Sequence, residues 1–288
     1  MLRAFVAALA VASLMFAGCS DEEAPSNEQP RSTEPVDQWF TASDGVKLHY
    51  LEIAGEGTPV ILLHGYMGTA SGAWVAPGFS KVLAERHRVI MLDQRGHGES
   101  DKPHEASAYG ERMVTDVIEL MDGLKISKAH IGGYSMGGSM VRVLMERVPE
   151  RFITASIGGA GVEELDEGLK AEAEARDPKG TDPEEAELLK LIEESQANMP
   201  EPDLVALGAV GQAWGTWWPQ PIDLTAIGFP VQAVNGEFDN PYSRTTRMTR
   251  ELRQFENVIV PGRTHLTTII DPLYLNSLVT FIDTHEPQ

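Results

Sequence analysis

Residues 129–149 read AHIGGYSMGGSMVRVLMERVP. The stretch has three parts. Ala129 to Gly133 leads as a short buried strand into a turn. Met136 to Val148 places apolar residues at helical spacing and stops at Pro149, which cannot continue a helix. Between them stands Gly133-Tyr134-Ser135-Met136-Gly137, a G-x-S-x-G pattern in a strand–turn–helix context. So sharp a turn needs small neighbours, hence a glycine on either side of the serine. The turn lifts the hydroxyl above the strand end and sets it at a helix start, where negative charge is favoured. The run GGYSMGG does not spell G-x-G-x-x-G and lies mid-chain, which sets a dinucleotide site aside.

On both sides of this stretch, strand and helix patterns alternate. Val46 to Ile53 (VKLHYLEI) alternates apolar and polar residues, as a half-buried strand does. Val60–Leu63, Val89–Leu92, Ile153–Ile157, Val231–Val234 and Val258–Val260 are short apolar runs, suited to parallel strands covered on both faces. Helical spacing joins Phe79, Val82 and Leu83, and again Met113, Val117, Leu120, Met121 and Leu124. Arg244–Phe255 and Leu273–Ile282 read as later helices. The expected fold is α/β, a doubly wound and mostly parallel sheet, built from residues 38–162 and 229–288.

Residues 163–228 break the alternation and read as an inserted helical lid. They begin acidic, with 14 acids against 4 bases over residues 163–201, and end Pro-rich beside Trp214, Trp217 and Trp218. The acidic face reads most simply as solvated surface. The tryptophans suit either an acyl pocket or packing of lid on core. The whole chain carries a formal charge of −20, which repels phosphate backbones, so no nucleic-acid partner is expected.

The N-terminus reads as an address. Arg3 precedes an apolar run, Ala4 to Ala17, interrupted only by Ser13 and too short to span a bilayer. The run ends at Phe16-Ala17-Gly18-Cys19, which resembles a bacterial lipobox, and Cys19 is the single cysteine of the chain. Residues 1–18 are expected to be a lipoprotein signal peptide and Cys19 the lipid attachment site. The other reading is an ordinary secretory signal followed by a stray cysteine. Ser20 after the cysteine favours the outer membrane by the same resemblance, which implies a lipid-anchored protein of the bacterial cell envelope. Residues 19–37, rich in acids, Pro and Ser, read as a solvated tether.

A serine hydroxyl is a weak nucleophile until a base takes its proton. Among eight histidines, His265 in VIVPGRTHL follows the last apolar run, on a loop able to reach the turn of Ser135. His49 reads as structural; His87, His104 and His130 show no evident partner, and His285 is nearly terminal. The orienting acid should lie between serine and base in chain order, which selects Asp239 in NGEFDNP, with Glu237 and Glu163 as rivals. Two backbone N–H groups are needed for the oxyanion: Met136, directly after the serine, and Tyr66 in the loop HGYMG.

The series HGYMG (64–68), DQRGHGES (93–100), GYSMG (133–137), GEFD (236–239) and THL (264–266) resembles the α/β-hydrolase superfamily in order and spacing, over residues 40–282. The resemblance implies that 163–228 is a lid and that 93–100 is a structural turn. Serine at the nucleophile position argues against the dehalogenase and epoxide hydrolase branches, which use aspartate. The expected activity is cleavage of a carboxylic ester or related acyl bond through an acyl-enzyme, with no metal or cofactor and with a neutral small-molecule acyl substrate whose chain length is left open. The same triad would also serve an acyltransferase, an amidase or a C–C hydrolase, and the fold alone would serve a non-catalytic, envelope-tethered binding protein.

Overall fold

The computed structural model describes residues 32–196, 201–216 and 221–287, and its folded unit begins at Thr33. Cys19, the signal segment, Trp217 and Trp218 lie outside the described residues. No helix among the described residues is long and apolar enough to cross a membrane.

The strands are β1 (Val36–Thr41), β2 (Lys47–Ile53), β3 (Pro59–Leu63), β4 (Arg88–Leu92), β5 (Ala129–Tyr134), β6 (Phe152–Gly158), β7 (Val231–Gly236) and β8 (Phe255–Val260). The helices are α1 (Phe79–Leu83), α2 (Glu111–Gly123), α3 (Met136–Arg147), α4 (Glu167–Arg176), α5 (Glu185–Gln196), α6 (Leu204–Ala213), α7 (Pro241–Glu251) and α8 (Pro272–Thr284). The strands form one sheet in the order β1-β2-β4-β3-β5-β6-β7-β8. β3 to β8 run parallel, and β1 and β2 are antiparallel additions at one edge.

The apolar runs are explained by the two cores. Ile61 and Leu63 of β3 and Ile90 and Leu92 of β4 enter one core, with Met113 and Val117 of α2 and Met140 and Leu144 of α3. Val60, Leu62, Val89 and Met91 enter the other, with Phe79 and Leu83 of α1 and Tyr274, Leu278 and Ile282 of α8. A period-2 strand covered on both faces must be apolar at every position. Each such side chain contributes about 1.5–3 kcal/mol on burial. The doubly wound, mostly parallel sheet expected from the sequence is the fold observed.

Three details differ from the sequence reading. β2 is buried at Leu48, His49, Tyr50 and Leu51 and does not alternate, because His49 is satisfied inside by Asp93. β1 begins at Val36, within the stretch read as tether, and pairs Val36 to Thr41 against Glu52 to Lys47. The helix read as Arg244–Phe255 runs from Pro241 to Glu251 instead. Proline is well placed in the first turn of a helix, and Phe255 is taken by β8, where it pairs with Val231.

Between β6 and β7 the chain inserts α4, α5 and α6. Asp166 and Asp203 cap α4 and α6 by accepting backbone N–H bonds. Val210 and Ala213 of α6 join the core that α2 and α3 share.

Candidate active site

The turn from β5 into α3 is built on close backbone approach. A side chain at Gly137 would put its β-carbon 2.0 Å from the Leu63 carbonyl oxygen, and one at Gly133 would reach within 2.3 Å of the Gly137 oxygen. Both positions therefore exclude any side chain. The crossing leaves Ser135 at φ 55°, a left-handed conformation unusual for a non-glycine residue. Its N–H is held by the Gly158 carbonyl at 2.8 Å.

Ser135, His265 and Asp239 converge above the sheet. Ser135 Oγ donates to His265 Nε2 at 2.9 Å, and His265 Nδ1 donates to Asp239 Oδ2 at 2.8 Å. Asp239 is buried, whereas His265 is about a third exposed. The rivals for the acid are otherwise engaged. Glu237 accepts from the Gly262 N–H at 2.7 Å, and Glu163 pairs with Lys170 at 2.9 Å.

Two supporting residues escaped the sequence reading. Arg244 of α7 grips Asp239, Nη2 to Oδ1 at 2.8 Å and Nη1 to Oδ2 at 3.2 Å, and it also donates to the Gly159 carbonyl. Tyr134 donates its hydroxyl to the His265 carbonyl at 2.7 Å and lays its ring 5.6 Å from the imidazole. The cue for Arg244 was its place one turn into the helix after Asp239. Tyr134 gave no sequence cue.

The loop 64–68 reaches the serine. A β-carbon at Gly65 would lie 3.3 Å from Ser135 Cβ and 3.9 Å from Oγ. The Gly65–Tyr66 peptide thus borders the space over the serine, and Met136 is the first residue of α3 behind it. Buried His64 fastens this loop: Nδ1 donates to the Gly65 carbonyl at 2.8 Å, and Nε2 accepts the Gln94 N–H at 3.0 Å. Burial lowers its pKa from the usual histidine value, so it stays neutral. The turn 93–100 is tied down likewise. Asp93 accepts from His49 Nδ1 at 2.8 Å, from the Ala70 N–H at 2.7 Å and from the Glu99 N–H at 3.0 Å.

Two cavities meet at the serine. One, of about 500 Å³, is lined by Ser135, His265, Met67, Leu189, Ile192 and Ile269 among others, and is mostly apolar. The second, of about 720 Å³, also touches Ser135 and His265 but is walled by charged groups, including Arg142, Glu163 and Arg244. Helices α4 and α5 and residue Trp214 contribute to these walls. Trp214 borders the polar cavity and stacks edge-on against Tyr66 at 6.4 Å, so it does not line the apolar one.

The acidic insertion is more than solvated surface. Asp182 and Glu184 pair with Arg263 at 3.1 and 2.9 Å, Asp182 accepts from Thr267 at 2.7 Å, and Glu185 accepts from Thr264 at 2.5 Å. These partners flank His265 in sequence, so the insertion holds the histidine's loop. Glu164, buried, is gripped by Arg250 at 2.6 and 3.0 Å.

Known proteins agree with this architecture. Residues 58–184 match the family model described as the alpha/beta hydrolase fold. Over 126 residues the chain is 39% identical to a dihydrolipoyllysine-residue acetyltransferase component of an acetoin cleaving system from Pseudomonas putida, covering 43% of this chain and 33% of that protein. It is 32% identical over 126 residues to 3-oxoadipate enol-lactonase 1 of Acinetobacter baylyi, covering 43% and 46%. The chain thus spans a third to a half of the length of these curated relatives. An alpha/beta hydrolase fold protein from Chitinophaga pinensis superposes with a TM-score of 0.69 at 20% identity, covering 88% of this chain and 98% of that one. The chain has the α/β-hydrolase fold, and the match over residues 58–184 supports its place in the α/β-hydrolase superfamily.

Proposed function

We propose that the chain is a serine hydrolase that cleaves a carboxylic ester, or a related acyl bond, through an acyl-enzyme. The observation that carries this reading is the continuous hydrogen-bond chain Ser135–His265–Asp239, at 2.9 and 2.8 Å. Relatives that are hydrolases support it at the level of reaction class.

In this reading His265 Nε2 takes the Ser135 proton as Oγ attacks the carbonyl carbon. Asp239 holds the Nδ1 tautomer and steadies the imidazolium. The N–H groups of Met136 and Tyr66 receive the oxyanion. His265 returns the proton to the departing oxygen, which leaves as an alcohol. It then activates water, whose attack releases the acid and restores Ser135. A small, neutral acyl group fits the apolar cavity, whose volume of about 500 Å³ suits a small-molecule pocket. The charged wall opposite faces the other arm of the substrate.

An acceptor alcohol in place of water would turn the same cycle into acyl transfer. The large polar cavity beside Ser135, and the acetyltransferase named among the relatives, favour keeping this second reading.

The envelope location is part of the proposal. Cys19, acylated after signal removal, would hold the folded domain at the outer membrane; several acyl chains are needed for stable anchoring. A chain starting after Cys19, assayed on p-nitrophenyl esters from acetate to palmitate with Ser135→Ala as control, tests the activity. Serine-dependent cleavage supports it, and equal rates in both proteins refute it. Palmitate labelling of the full-length chain and of Cys19→Ala tests the anchor.

A further inference from the structure

The apolar cavity at Ser135 is a seam between two elements. Leu266 and Ile269 come from the loop that carries His265, and Leu189 and Ile192 come from α5. Glu185, Leu189 and Ile192 are spaced by four and three residues, which puts them on one face of the helix. Glu185 is the first residue of α5 and forms the polar end of that face. Its Oε1 accepts the Thr264 hydroxyl at 2.5 Å. The seam between α5 and the histidine loop therefore has a hydrogen-bonded end and an apolar length. Neither Glu185 nor Thr264 borders the cavity.

Thr264 directly precedes His265, and each of its polar groups is engaged. Besides the hydroxyl on Glu185, its N–H donates to Thr267 Oγ1 at 3.0 Å, and Thr267 donates in turn to Asp182 at 2.7 Å. Its carbonyl accepts from the Thr268 N–H at 3.1 Å and from the Thr268 hydroxyl at 2.7 Å. The backbone that carries the imidazole is thus tied to the start of α5 through the residue next to it. The walls of an empty apolar seam lack the dispersion contacts that a filled seam gives them. An acyl chain lying between Leu189 and Leu266 supplies those contacts to α5 and to the histidine loop together. This narrows the range of positions open to His265 Nε2, where a misplacement of about 1 Å costs on the order of a hundredfold in rate. Binding of a non-reacting arm then raises kcat instead of only lowering KM.

We infer that Glu185 and Thr264 are positioning residues that make kcat depend on the acyl arm, an inference that rests on the ester-cleaving reading of Ser135. An aliphatic acyl group long enough to fill the seam steadies His265 against Ser135, and an acetyl group does not. The substrate class that follows is an ester of an extended aliphatic acid. Neither residue touches the reacting atoms. Both act through the loop of His265.

Steady-state kinetics on p-nitrophenyl acetate and p-nitrophenyl hexanoate test this. In the wild type, kcat should be at least about tenfold higher for the hexanoate. Thr264→Val keeps the shape of the side chain and loses the hydroxyl, and Glu185→Ala removes its acceptor. Each should cut that ratio to about twofold or less, through a larger loss of kcat on the hexanoate than on the acetate. Thr264→Ser, which keeps the hydroxyl, should hold the wild-type ratio. A wild-type kcat equal for the two esters, with the difference confined to KM, overturns the proposal whether or not the variants fold. An equal loss on both esters in Thr264→Val also overturns it, since that pattern gives the pair a structural role alone. Inactivation by ethyl p-nitrophenyl methylphosphonate and hexylphosphonate makes the same comparison in a single step at Ser135, without turnover. The limiting rate for the hexyl compound relative to the methyl one should fall by about fivefold or more in Thr264→Val, and an unchanged ratio overturns the proposal. Failure to cleave p-nitrophenyl butyrate together with absence of fluorophosphonate labelling removes the serine-hydrolase reading itself, whereas cleavage with a flat kcat removes the coupling alone.

Discussion

Arg244 and Asp239 face each other across one turn of chain, with Nη2 and Oδ1 2.8 Å apart, while the other oxygen of the same carboxylate receives His265. In the proposed triad, the orienting acid is therefore itself oriented. Hydrogen bonds to charged groups contribute about 1.5–3 kcal/mol, which corresponds to roughly ten- to a hundredfold in rate. Arg244→Gln should lower kcat by about tenfold or more, and Arg244→Lys by less. Steady-state kinetics on a neutral p-nitrophenyl ester measure this; an unchanged kcat would show that Asp239 keeps its position unaided.

The grip of the insertion on the histidine loop gives a second expectation. Asp182 is fully buried and relies on Arg263, Thr267 and the Glu184 N–H. Burial opposes its charge, yet these partners outweigh it and hold its pKa below the usual carboxylate range. Removing one partner of a buried ion pair costs about 3–5 kcal/mol. Arg263→Ala should lose stability of about that order and expose residues 177–185 to limited proteolysis. An unchanged urea midpoint with unchanged proteolysis would mean that the insertion is held by its apolar contacts alone.

The turn at Asp93 predicts acid sensitivity. Burial would raise the Asp93 pKa, but the hydrogen bonds from His49 and from the Ala70 and Glu99 N–H groups bring it down to about 2 from 3.8. A depressed carboxylate stabilises the fold above its unfolded pKa, and the gain is lost as pH falls through the folded value. About 2 kcal/mol should therefore disappear between roughly pH 5 and 2. For His49 burial opposes the charge, but Asp93 and Asp37 raise its pKa above 6.5. Its contribution is complete below pH 6.5 and fades as pH rises through the folded value. Urea unfolding across pH 2–9 should show both limbs, and Asp93→Asn should flatten the acidic one. The same acid limb in Asp93→Asn would assign it to other carboxylates.

Two glycines separate fold from site. The β-carbon of Gly137→Ala would collide with the Leu63 carbonyl at 2.0 Å, and the Leu63–His64 backbone it meets cannot swing aside as a side chain could. That variant should unfold or lose several kcal/mol, since the strand–helix crossing has no slack. The β-carbon of Gly65→Ala meets Ser135 Cβ at a marginal 3.3 Å. It should fold, yet crowd the place of the substrate carbonyl and lose about tenfold in kcat/KM. Circular dichroism and ester kinetics on both variants distinguish these outcomes, and the reverse pattern would misplace the oxyanion loop.

That Ser135, His265 and Asp239 meet was readable in sequence because each lies just beyond a strand end, within five residues of it, and a parallel sheet gathers its strand ends at one rim. The apolar runs of β3 and β4 were readable for a related reason: burial on both faces removes every polar position. Arg244, Tyr134 and Asp182 were hidden because their roles depend on where long side chains end, and Tyr134 and His265 are 131 residues apart. β1 was missed because an edge strand paired on one side keeps a polar sequence, VDQWFT, close to that of a tether. The end of α7 was misplaced because Leu252 and Phe255 continue a helical spacing while the chain has already turned toward β8.

The most direct test of the central claim is labelling by a fluorophosphonate, with the modified peptide mapped by mass spectrometry. An activated serine should take up one label per chain at Ser135, and Ser135→Ala and His265→Ala should stay unlabelled or nearly so. A label that is absent from the folded wild type, or that sits on another serine, would contradict the assignment of Ser135 as a nucleophile.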